Sequence, residues 1–293
     1  MNNEPKVSLI LVNYNNHKDT VECVKSLLKI DYRNFDVIVV DNASTENIST
    51  IDDTFLRDST YLIKSSVNNG FSAGNNIGIE YAKKNLHPNY ILLLNNDTVV
   101  KQDFLLKLVD CAIRYEDNAL ISGKIYYYNK NNILWYAGGY YNAESGFSGH
   151  YGYKKEDDGR YDEEKDVTFI TGCLMLIPIK ILEKVGLLDE CYFLYSEDTD
   201  YCCRVMNFGY KMLYCPESVI YHKVSATTGD KSEFQQYYML RNYLYMISKY
   251  STHKFIAHLK RLNNIRILII NKEIGIMTVI KAYFSFFTNK KGK

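Results

Sequence analysis

In the first hundred residues, short aliphatic runs alternate with amphipathic stretches, and the runs lead into polar residues. The clearest run is Ile91-Leu92-Leu93-Leu94, which passes directly into Asn95-Asn96-Asp97. Four consecutive aliphatic residues are typical of a strand buried on both faces, as in a parallel sheet. Strands that alternate with helices predict an α/β fold with right-handed crossovers.

Three of these predicted strands end in asparagine or aspartate. Residues 7–12 lead into Asn13-Tyr14-Asn15-Asn16, residues 35–40 into Asp41-Asn42, and the run at 91–94 into Asp97. The carboxyl ends of parallel strands meet at one edge of a sheet, where open α/β sheets bind ligands. We therefore expect a ligand site there. For the Asp97 cluster by itself, a solvated turn is the alternative.

A second acidic cluster, Ser196-Glu197-Asp198-Thr199-Asp200, follows about a hundred residues later. Asp97 offers the oxygen ligand that Mg²⁺ or Mn²⁺ prefers, and His222, at the end of a predicted strand, could complete such a site. Neighbouring carboxylates raise each other's pKa, so the second cluster could supply a general base. The two clusters together favour metal-assisted group transfer.

The rest of the chain predicts more elements of the same kinds. Helices are expected at residues 19–30, 72–84, 103–114, 179–185, 199–208 and 234–248, and strands at 61–64, 119–123, 124–128, 211–215 and 219–222. Residues 138–166 are rich in glycine and tyrosine and close in an acidic run. This composition predicts a surface excursion or a hairpin near the site, with charges that are solvated rather than catalytic.

Gly70, Gly74 and Gly78 are spaced by four residues and share one face of a predicted helix. A face without side-chain bulk lets a ligand or a strand approach closely. The spacing matches neither G-x-G-x-x-G after a strand nor G-x-x-x-x-G-K-[ST], so a dinucleotide-binding dehydrogenase and a Walker-type NTPase are disfavoured. Tight packing of the helix on the sheet is the alternative to ligand binding.

Composition narrows the class of protein. A hydrophobic content of 46% and a charged content of 24% are ordinary for a soluble globular chain, and a net charge of +1 gives no reason to expect nucleic acid as a partner. The seven cysteines include no C-x-x-C pair, which favours buried free thiols in a reducing compartment. The first residues lack the apolar core of a signal peptide, so a cytoplasmic location is expected.

From Lys231 onward the sequence becomes a helical, basic and amphipathic extension. After His253 it contains nine lysines and arginines against the single acid Glu273. No apolar run reaches the ~20 residues of a membrane span. Basic residues interleaved with aromatic ones suit the surface of an anionic bilayer, which would place the protein at the inner face of the plasma membrane. The alternative is a helical cap on the preceding domain.

Seven segments occur in a specific order: residues 7–15, 39–44, 69–76, 94–97, 171–176 and 193–200, and His222. Each is short, but the ordered set, which spans about residues 5–225, resembles the family 2 glycosyltransferases. The resemblance is to the bacterial rhamnosyltransferase-like branch, which builds cell-surface polysaccharide.

This resemblance implies a GT-A fold, with a mixed, mostly parallel sheet flanked by helices and a C-terminal helical extension. Residues 1–230 would form the glycosyltransferase domain, with a nucleotide-binding half (1–100) and an acceptor half (101–230), and residues 231–293 would form the extension. The reaction implied is sugar transfer with inversion, from a nucleotide-diphosphate donor such as a dTDP- or UDP-sugar to a saccharide or polyprenyl-linked saccharide acceptor.

The resemblance also implies roles for single residues. Asp41 would hydrogen-bond the nucleobase. The donor-binding side would contain Asn13, Tyr14, Asp41, Asn69, Gly70, Gly74 and Asn96.

On the metal and acceptor side, the resemblance implies that Asp97 holds Mg²⁺ or Mn²⁺, with His222 as a further ligand. Asp198 would be the general base and Glu197 would orient the acceptor or the sugar. Thr171-Gly172 would line the acceptor side.

The chain departs from the family pattern at two positions. The family often has Asp-x-Asp at the metal site, where this chain has Asn95-Asn96-Asp97, so one of the two ligands would be neutral. Relatives often have arginine after the Thr-Gly strand, where this chain has Pro178. The acceptor contact expected at that position therefore changes.

Two other functions fit parts of the pattern. A sugar-1-phosphate nucleotidyltransferase shares the sheet, the metal and the nucleotide, but usually has a glycine-rich basic loop where this chain has Asn13-Tyr14-Asn15-Asn16-His17. A non-catalytic sugar-nucleotide-binding relative is suggested only by Asn95. The intact Asp97, Glu197 and Asp198 argue against it.

Overall fold

The computed structural model describes residues 4–46, 59–224 and 232–293. Its strands are β1 (Val7–Asn13), β2 (Phe35–Asn42), β3 (Thr60–Ser65), β4 (Tyr90–Leu94), β5 (Thr98–Val100), β6 (Ala119–Tyr127), β7 (Lys130–Tyr136), β8 (Gly139–Asn142), β9 (Phe147–His150), β10 (Lys165–Asp166), β11 (Leu174–Pro178) and β12 (Lys211–His222). Its helices are α1 (His17–Leu27), α2 (Gly70–Asn85), α3 (Phe104–Arg114), α4 (Ile179–Val185), α5 (Glu197–Asn207), α6 (Glu233–Tyr250), α7 (Lys254–Ile270) and α8 (Ile276–Phe287).

Ten of these strands form one sheet, whose main path runs in the order β10-β12-β6-β11-β4-β1-β2-β3. Strands β3, β2, β1 and β4 are parallel, and so are β6 and β12, whereas β11 is antiparallel to β4 and β6. Consecutive residues such as Leu9, Ile10 and Leu11 are fully buried, so both faces of the sheet are covered. The predicted α/β architecture, a mixed and mostly parallel sheet flanked by helices, is confirmed.

The predicted helices are also confirmed, and each begins and ends within three residues of the expected position. Two pairs of predicted strands are instead single strands, β6 and β12. Strand β12 continues through Pro216 because the register shifts at a bulge between Cys215 and Val219. Gly123 in β6 lies against this bulge: a Cβ there would be 2.4 Å from the Ser218 carbonyl oxygen. Gly123 therefore permits close strand approach and does not end a strand.

The surface hairpin expected within residues 138–166 is present as the antiparallel pair β8 and β9. Several carboxylates of the following acidic run are paired with cations and are not simply solvated. Asp157 forms an ion pair at 2.7 Å with Lys124, a residue that is only 3% exposed. Because a buried ammonium needs a paired anion, Asp157 has a structural role.

Gly74 and Gly78 of α2 pack on β1. A Cβ on Gly74 would lie 2.7 Å from Val12 Cγ1, and a Cβ on Gly78 would lie 2.5 Å from Ile10 Cγ2. These distances are too short for any side chain, so both glycines permit close contact between the helix and the sheet. The packing alternative therefore holds for them, and a place for Gly74 along a donor remains a prediction.

All seven cysteines lie within the described ranges and are free thiols, six of them buried and Cys191 half-buried. This agrees with the expectation of unpaired thiols.

The C-terminal helices pack together. Leu240 and Leu244 of α6, Ile265 of α7 and Ala282 of α8 form a buried apolar cluster. The helical extension is therefore confirmed as a packed element, although the domain boundary predicted at residues 230 and 231 falls outside the described residues. Within the part of the chain that the structure describes, no helix is both long and apolar enough to cross a membrane.

Candidate active site

The polar ends of β1 and β2 are joined by hydrogen bonds. Asn13 and Asp41 are directly opposed in the parallel pairing, and Asn13 Nδ2 donates to Asp41 Oδ1 at 3.2 Å and to Ser44 Oγ at 3.1 Å. Asn13 is fully buried and Asp41 is 6% exposed, whereas Tyr14 is 39% exposed. Asn13 therefore orients the Asp41 carboxylate, and Tyr14 is the more accessible of the two residues at the end of β1.

Asn96 is tied to the same network through Thr20 of α1. Asn96 Nδ2 donates to Thr20 Oγ1 at 2.8 Å, and this hydroxyl donates to Asn13 Oδ1 at 2.9 Å. The ends of β1, β2 and β4 thus converge as expected.

The start of α2 contacts the segment that leads into the second acidic cluster. Gly70 has a φ of +91°, and a Cβ there would lie 2.0 Å from the carbonyl oxygen of Phe193. The Phe71 backbone N–H donates to the same oxygen at 2.8 Å, and Ser72 Oγ donates to the Tyr192 carbonyl at 2.9 Å. Only glycine fits at position 70, next to Asn69, the residue that precedes α2.

Asp97 and His222 form a close pair at the end of β4. His222 Nε2 lies 3.0 Å from Asp97 Oδ1, both residues are buried, and the Trp135 ring meets the imidazole edge-on at 4.6 Å between centroids. The Asn95 amide nitrogen lies 3.4 Å from the same Nε2 atom. The residue that replaces the first aspartate of Asp-x-Asp therefore remains beside the predicted metal ligands.

The charge state of His222 follows from its neighbours. Burial lowers the pKa of His222, but its interactions with Cys173 and with the Asp97 carboxylate outweigh burial and raise that pKa to about 10. Burial raises the pKa of the Cys173 thiol, so that thiol is uncharged near neutral pH and the Asp97 carboxylate is the relevant anion. His222 therefore carries its proton near neutral pH and forms a buried ion pair with the Asp97 carboxylate.

The pair also fits a divalent cation. Asp97 Oδ1 and His222 Nε2 lie 3.0 Å apart, so both could bind one cation once His222 has lost its proton. The other ring nitrogen of His222, Nδ1, is buried and has no hydrogen-bond partner among the described residues. A carboxylate and an imidazole are suitable ligands for Mn²⁺ or Mg²⁺.

The Asp198 carboxylate is half-buried and fixed by hydrogen bonds. Its Oδ2 atom accepts from the Gly172 backbone N–H at 3.1 Å, and its Oδ1 atom accepts from the Thr199 N–H at 2.7 Å. Burial raises the pKa of Asp198, and these hydrogen bonds oppose part of that effect. A carboxylate held in one orientation with a raised pKa is suited to accept a proton. Thr171, which precedes Gly172, is buried.

Glu197 is more deeply buried than Asp198 and is the first residue of α5. Its Oε2 atom has no hydrogen-bond partner among the described residues. Burial, and next the charge of Asp198, raise the pKa of Glu197 well above the usual value. An uncharged Glu197 can donate a hydrogen bond, which an ionised one cannot.

Asp200, the third carboxylate of this cluster, has a different surrounding. It is fully buried and contacts Arg204 Nε at 2.8 Å, Lys249 Nζ at 2.6 Å and the Tyr250 hydroxyl at 2.7 Å. Asp200 therefore connects α5 to α6 and has no free position for a substrate.

The two acidic clusters lie at the same edge of the sheet. Strands β4 and β11 are antiparallel neighbours, so the residues after β4 lie beside those before β11. The Asn95 backbone N–H donates to the Cys173 carbonyl at 3.0 Å, and the neighbouring Gly172 N–H holds Asp198. The segment Gly172-Cys173 therefore links the Asp97 loop to the Asp198 carboxylate.

Asn242 of α6 supports the loop before Asp198 and was not expected from the sequence. Its Nδ2 donates at 2.8 Å to both the Leu194 and the Tyr195 carbonyl oxygens. Tyr195 and Ser196 have φ angles of 69° and 71°, which are costly for residues other than glycine. The fully buried Arg241 orients Asn242 through a bond of 3.0 Å from Nε to Oδ1.

Other supporting residues were also missed, and the sequence contained weak signals for some of them. For Thr20 and Cys173 the sequence contained no indication of a supporting role. For Trp135 the only indication was that it is the single tryptophan of the chain. An Arg-Asn pair among the apolar residues of a predicted helix is a signal for Arg241-Asn242, because buried polar groups require partners.

A family model described as Glycosyl transferase family 2 matches residues 8–186. The chain is 27% identical over 238 residues to the low-salt glycan biosynthesis hexosyltransferase Agl10 of Haloferax volcanii. This match covers 80% of this chain and 73% of that protein. It is 25% identical over 259 residues to the dTDP-rhamnosyl transferase RfbF of Shigella flexneri, with 82% and 79% covered. It is 26% identical over 245 residues to the rhamnosyltransferase WbbL of Escherichia coli, with 78% and 86% covered.

Solved structures give the same fold. The mannosyltransferase PcManGT from Pyrobaculum calidifontis, in complex with GDP-Man and Mn²⁺, has a TM-score of 0.63 at 12% identity and covers 99% of this chain and 89% of its own. GalNAc-T7 with UDP, GalNAc and Mn²⁺ has a TM-score of 0.67 at 16% identity and covers 85% of this chain, which spans 48% of that protein. These likenesses confirm the GT-A fold. The family model matches more than half of the residues of this chain, and the chain therefore belongs to glycosyl transferase family 2.

Proposed function

We propose that this glycosyltransferase moves a sugar, with inversion, from a nucleotide-diphosphate donor to a hydroxyl of a saccharide or lipid-linked saccharide in cell-surface polysaccharide synthesis. One observation carries the proposal: the Asp97–His222 pair and Asp198 are linked through Gly172-Cys173 at one sheet edge. A single displacement needs a site for the leaving diphosphate and, separately, a base for the attacking hydroxyl.

The donor would bind at the ends of β1 and β2 and at the start of α2. Asp41, oriented by Asn13, would accept a hydrogen bond from the nucleobase next to the accessible Tyr14 ring. Asn69-Gly70 would lie along the diphosphate and sugar, because a helix N-terminus favours negative charge. Asn96 would contact the same part of the donor.

A dTDP- or UDP-sugar is the donor that we propose. The relative named a dTDP-rhamnosyl transferase supports dTDP, and the similar structure solved with UDP supports UDP.

Mn²⁺ or Mg²⁺ would be held by Asp97 and His222, with Asn95 beside them, and when bound would stabilise negative charge on the leaving diphosphate. The chain's other residues would act on the acceptor. As the acceptor oxygen forms a bond to the anomeric carbon, the bond from that carbon to the diphosphate breaks and Asp198 accepts the hydroxyl proton. Glu197 would orient the acceptor or the sugar by a hydrogen bond, and Thr171-Gly172 would line the acceptor side.

We also propose that the outer face of α7 and α8 contacts an anionic membrane, which would place the enzyme at the inner face of the plasma membrane. Many large apolar side chains of these helices are exposed although the helices are packed on α6. They are Phe255, Ile256, Leu259, Leu262, Ile267, Ile270, Ile276, Met277, Ile280, Phe284 and Phe287. An apolar face bordered by lysines and arginines suits a surface of anionic lipids.

Asp198→Asn tests the assigned base. We expect this variant to bind UDP or dTDP with Mn²⁺ almost as the wild type does, but to lose about 10²- to 10⁴-fold in donor turnover, because general-base catalysis contributes that much. Release of nucleoside diphosphate from UDP- and dTDP-sugars measures turnover, and Asp110→Asn, an exposed residue of α3, is the control. Full turnover by Asp198→Asn would reject the assignment.

Asp97→Ala tests the metal site. Calorimetry of UDP and dTDP binding should show a loss of about tenfold or more in the presence of Mn²⁺ and little change in its absence, because one of two protein ligands is removed. An unchanged affinity with Mn²⁺ would contradict the assignment of Asp97.

A further inference from the structure

A groove of about 380 Å³ lies between α6 and α8, outside the site described above. Phe234 and Tyr238 of α6 and Phe284 of α8 give it an aromatic wall. It is also lined by Lys281, Lys290 and Lys293 and by one acidic side chain, that of Glu233. The groove therefore combines an apolar wall with an excess of positive charge.

Two of these lysines are carried by a backbone segment that is fixed to the rest of the molecule. The Gly292 N–H donates to the Cys191 carbonyl at 2.8 Å, and the buried Arg241 donates from Nη1 to the Gly292 carbonyl at 2.8 Å. The Tyr245 hydroxyl donates to the Lys290 carbonyl at 3.1 Å. Lys290 and Lys293 are therefore held beside the groove.

The groove adjoins the loop that carries the proposed base. The Phe193 ring stacks on Tyr238 at 5.1 Å and meets Phe234 edge-on at 6.2 Å. Phe193 lies five residues before Asp198 and its carbonyl oxygen contacts the start of α2. A molecule in the groove would thus lie next to the acceptor side of the active site.

Apolar surface continues from the groove along α8. Phe284 lines the groove and is 67% exposed, and its neighbours Ile280 and Phe287 are 54% and 76% exposed. A small anion would use the lysines but not this surface, whereas a molecule with an anionic group and a hydrocarbon chain would use both.

We propose that this groove binds the phosphate or diphosphate group of a lipid that carries the acceptor saccharide. The lysines pair with the phosphate oxygens, and the hydrocarbon chain lies along the exposed face of α8. This inference rests on the proposed glycosyl transfer and specifies the class of its acceptor.

Calorimetry with farnesyl diphosphate, a soluble isoprenyl diphosphate, tests the groove. Chelator keeps divalent cations away from the donor site. We expect the wild type to bind this probe at least about tenfold more tightly than inorganic pyrophosphate, because the chain adds apolar contact.

The groove variant combines Lys281→Gln, Lys290→Gln and Lys293→Gln. It should lose about tenfold or more in affinity for the probe, since each lysine near an anionic surface contributes roughly 1 kcal/mol. The control variant combines Lys29→Gln, Lys84→Gln and Lys130→Gln, which replace three exposed lysines.

Several results would overturn the proposal. Equal affinity in the groove variant with an unchanged circular dichroism spectrum would show that the lysines do not bind the probe. Displacement of farnesyl diphosphate by UDP would assign it to the donor site, and equal affinity for pyrophosphate would exclude a role for the lipid chain. Binding to phosphatidylglycerol vesicles without binding to farnesyl diphosphate would make the groove a general membrane contact. Hydrolysis of the sugar-nucleotide donor by the wild type with Mn²⁺ tests the proposed function, and its outcome does not depend on whether the groove binds farnesyl diphosphate.

Discussion

Three carboxylates within four residues have three different environments. Asp198 is oriented by backbone N–H groups, Glu197 has a buried oxygen without a partner among the described residues, and Asp200 is enclosed by cations and hydroxyls of α5 and α6. The same functional group is thus suited to accept a proton, to donate a hydrogen bond or to hold two helices together. Neighbouring side chains decide which of these it does.

The pH dependence of stability should reveal the buried Glu197. Its pKa is raised in the folded protein, so between the usual glutamate pKa and the raised value the folded state binds more protons than the unfolded state. Stability therefore falls as pH rises through that window. Glu197→Gln removes the titrating group, and we expect its Tm to fall less than that of the wild type between about pH 5 and about pH 8.

Thermal unfolding followed by circular dichroism measures this difference. Glu80→Gln changes a carboxylate whose side chain is 58% exposed and should reproduce the wild-type pH profile. Parallel Tm profiles for the wild type and Glu197→Gln would mean that Glu197 is ionised in the folded protein.

At the scale of elements, the loop before α5 is built by a helix from the C-terminal extension. Asn242 of α6 holds the Leu194 and Tyr195 carbonyls, and Arg241 holds Asn242. The left-handed conformations of Tyr195 and Ser196 cost energy, which the surrounding contacts must offset. The extension therefore supports the loop that carries the proposed base.

Asn242→Ala should lower the rate of donor turnover by about tenfold or more while the affinity for UDP with Mn²⁺ stays close to that of the wild type. The variant loses two hydrogen bonds that orient the loop before the base, each worth about 1 kcal/mol. Asn242→Asp has nearly the same shape but lacks the N–H donors, so it should be as impaired as the alanine variant. Steady-state kinetics separate kcat from KM, with Asn263→Ala, an exposed residue of α7, as the control. A wild-type kcat in Asn242→Asp would show that these hydrogen bonds do not contribute to turnover.

At the scale of the whole molecule, the C-terminal helices have one packed face and one exposed face. Helices α7 and α8 bury Ile265 and Ala282 against α6 while they expose large apolar side chains on the outside. The cap and the membrane-contact interpretations of this extension are therefore compatible. Deleting the helices would remove both roles, so single exposed residues are better probes than truncation.

Phe255→Ser combined with Phe287→Ser should reduce binding to anionic vesicles by about tenfold or more. Both rings are about three-quarters exposed, at 75% and 76%, and burying a phenylalanine in an apolar phase is worth roughly 1.5–3 kcal/mol. Co-sedimentation with phosphatidylglycerol vesicles measures binding, and Phe208→Ser, which is 56% exposed and outside the extension, is the control. Unchanged co-sedimentation of the double variant would leave α7 and α8 with a packing role only.

Much of the fold was predictable because parallel strands buried on both faces must be aliphatic, and their ends must be polar. This accounts for β1, β2 and β4 and for the positions of Asn13, Asp41 and Asp97. The strand boundary expected at Gly123 was wrong, because that glycine accommodates a bulge in β12 that lies about ninety residues later in the chain. The local sequence pattern cannot distinguish a glycine at which the chain turns from a glycine against which another strand packs closely.

Residue type and spacing were enough to predict the order of strands and helices, the carboxylates at their ends and the resemblance to a glycosyltransferase family. Three properties became visible only in the folded chain: which carboxylate of the second cluster is accessible, the packing of Gly74 on β1, and the support that α6 gives to the loop before Asp198. These properties depend on contacts between residues far apart in the chain, such as Gly172 with Asp198 and Leu194 with Asn242. Burial and hydrogen-bond geometry arise only when those segments meet.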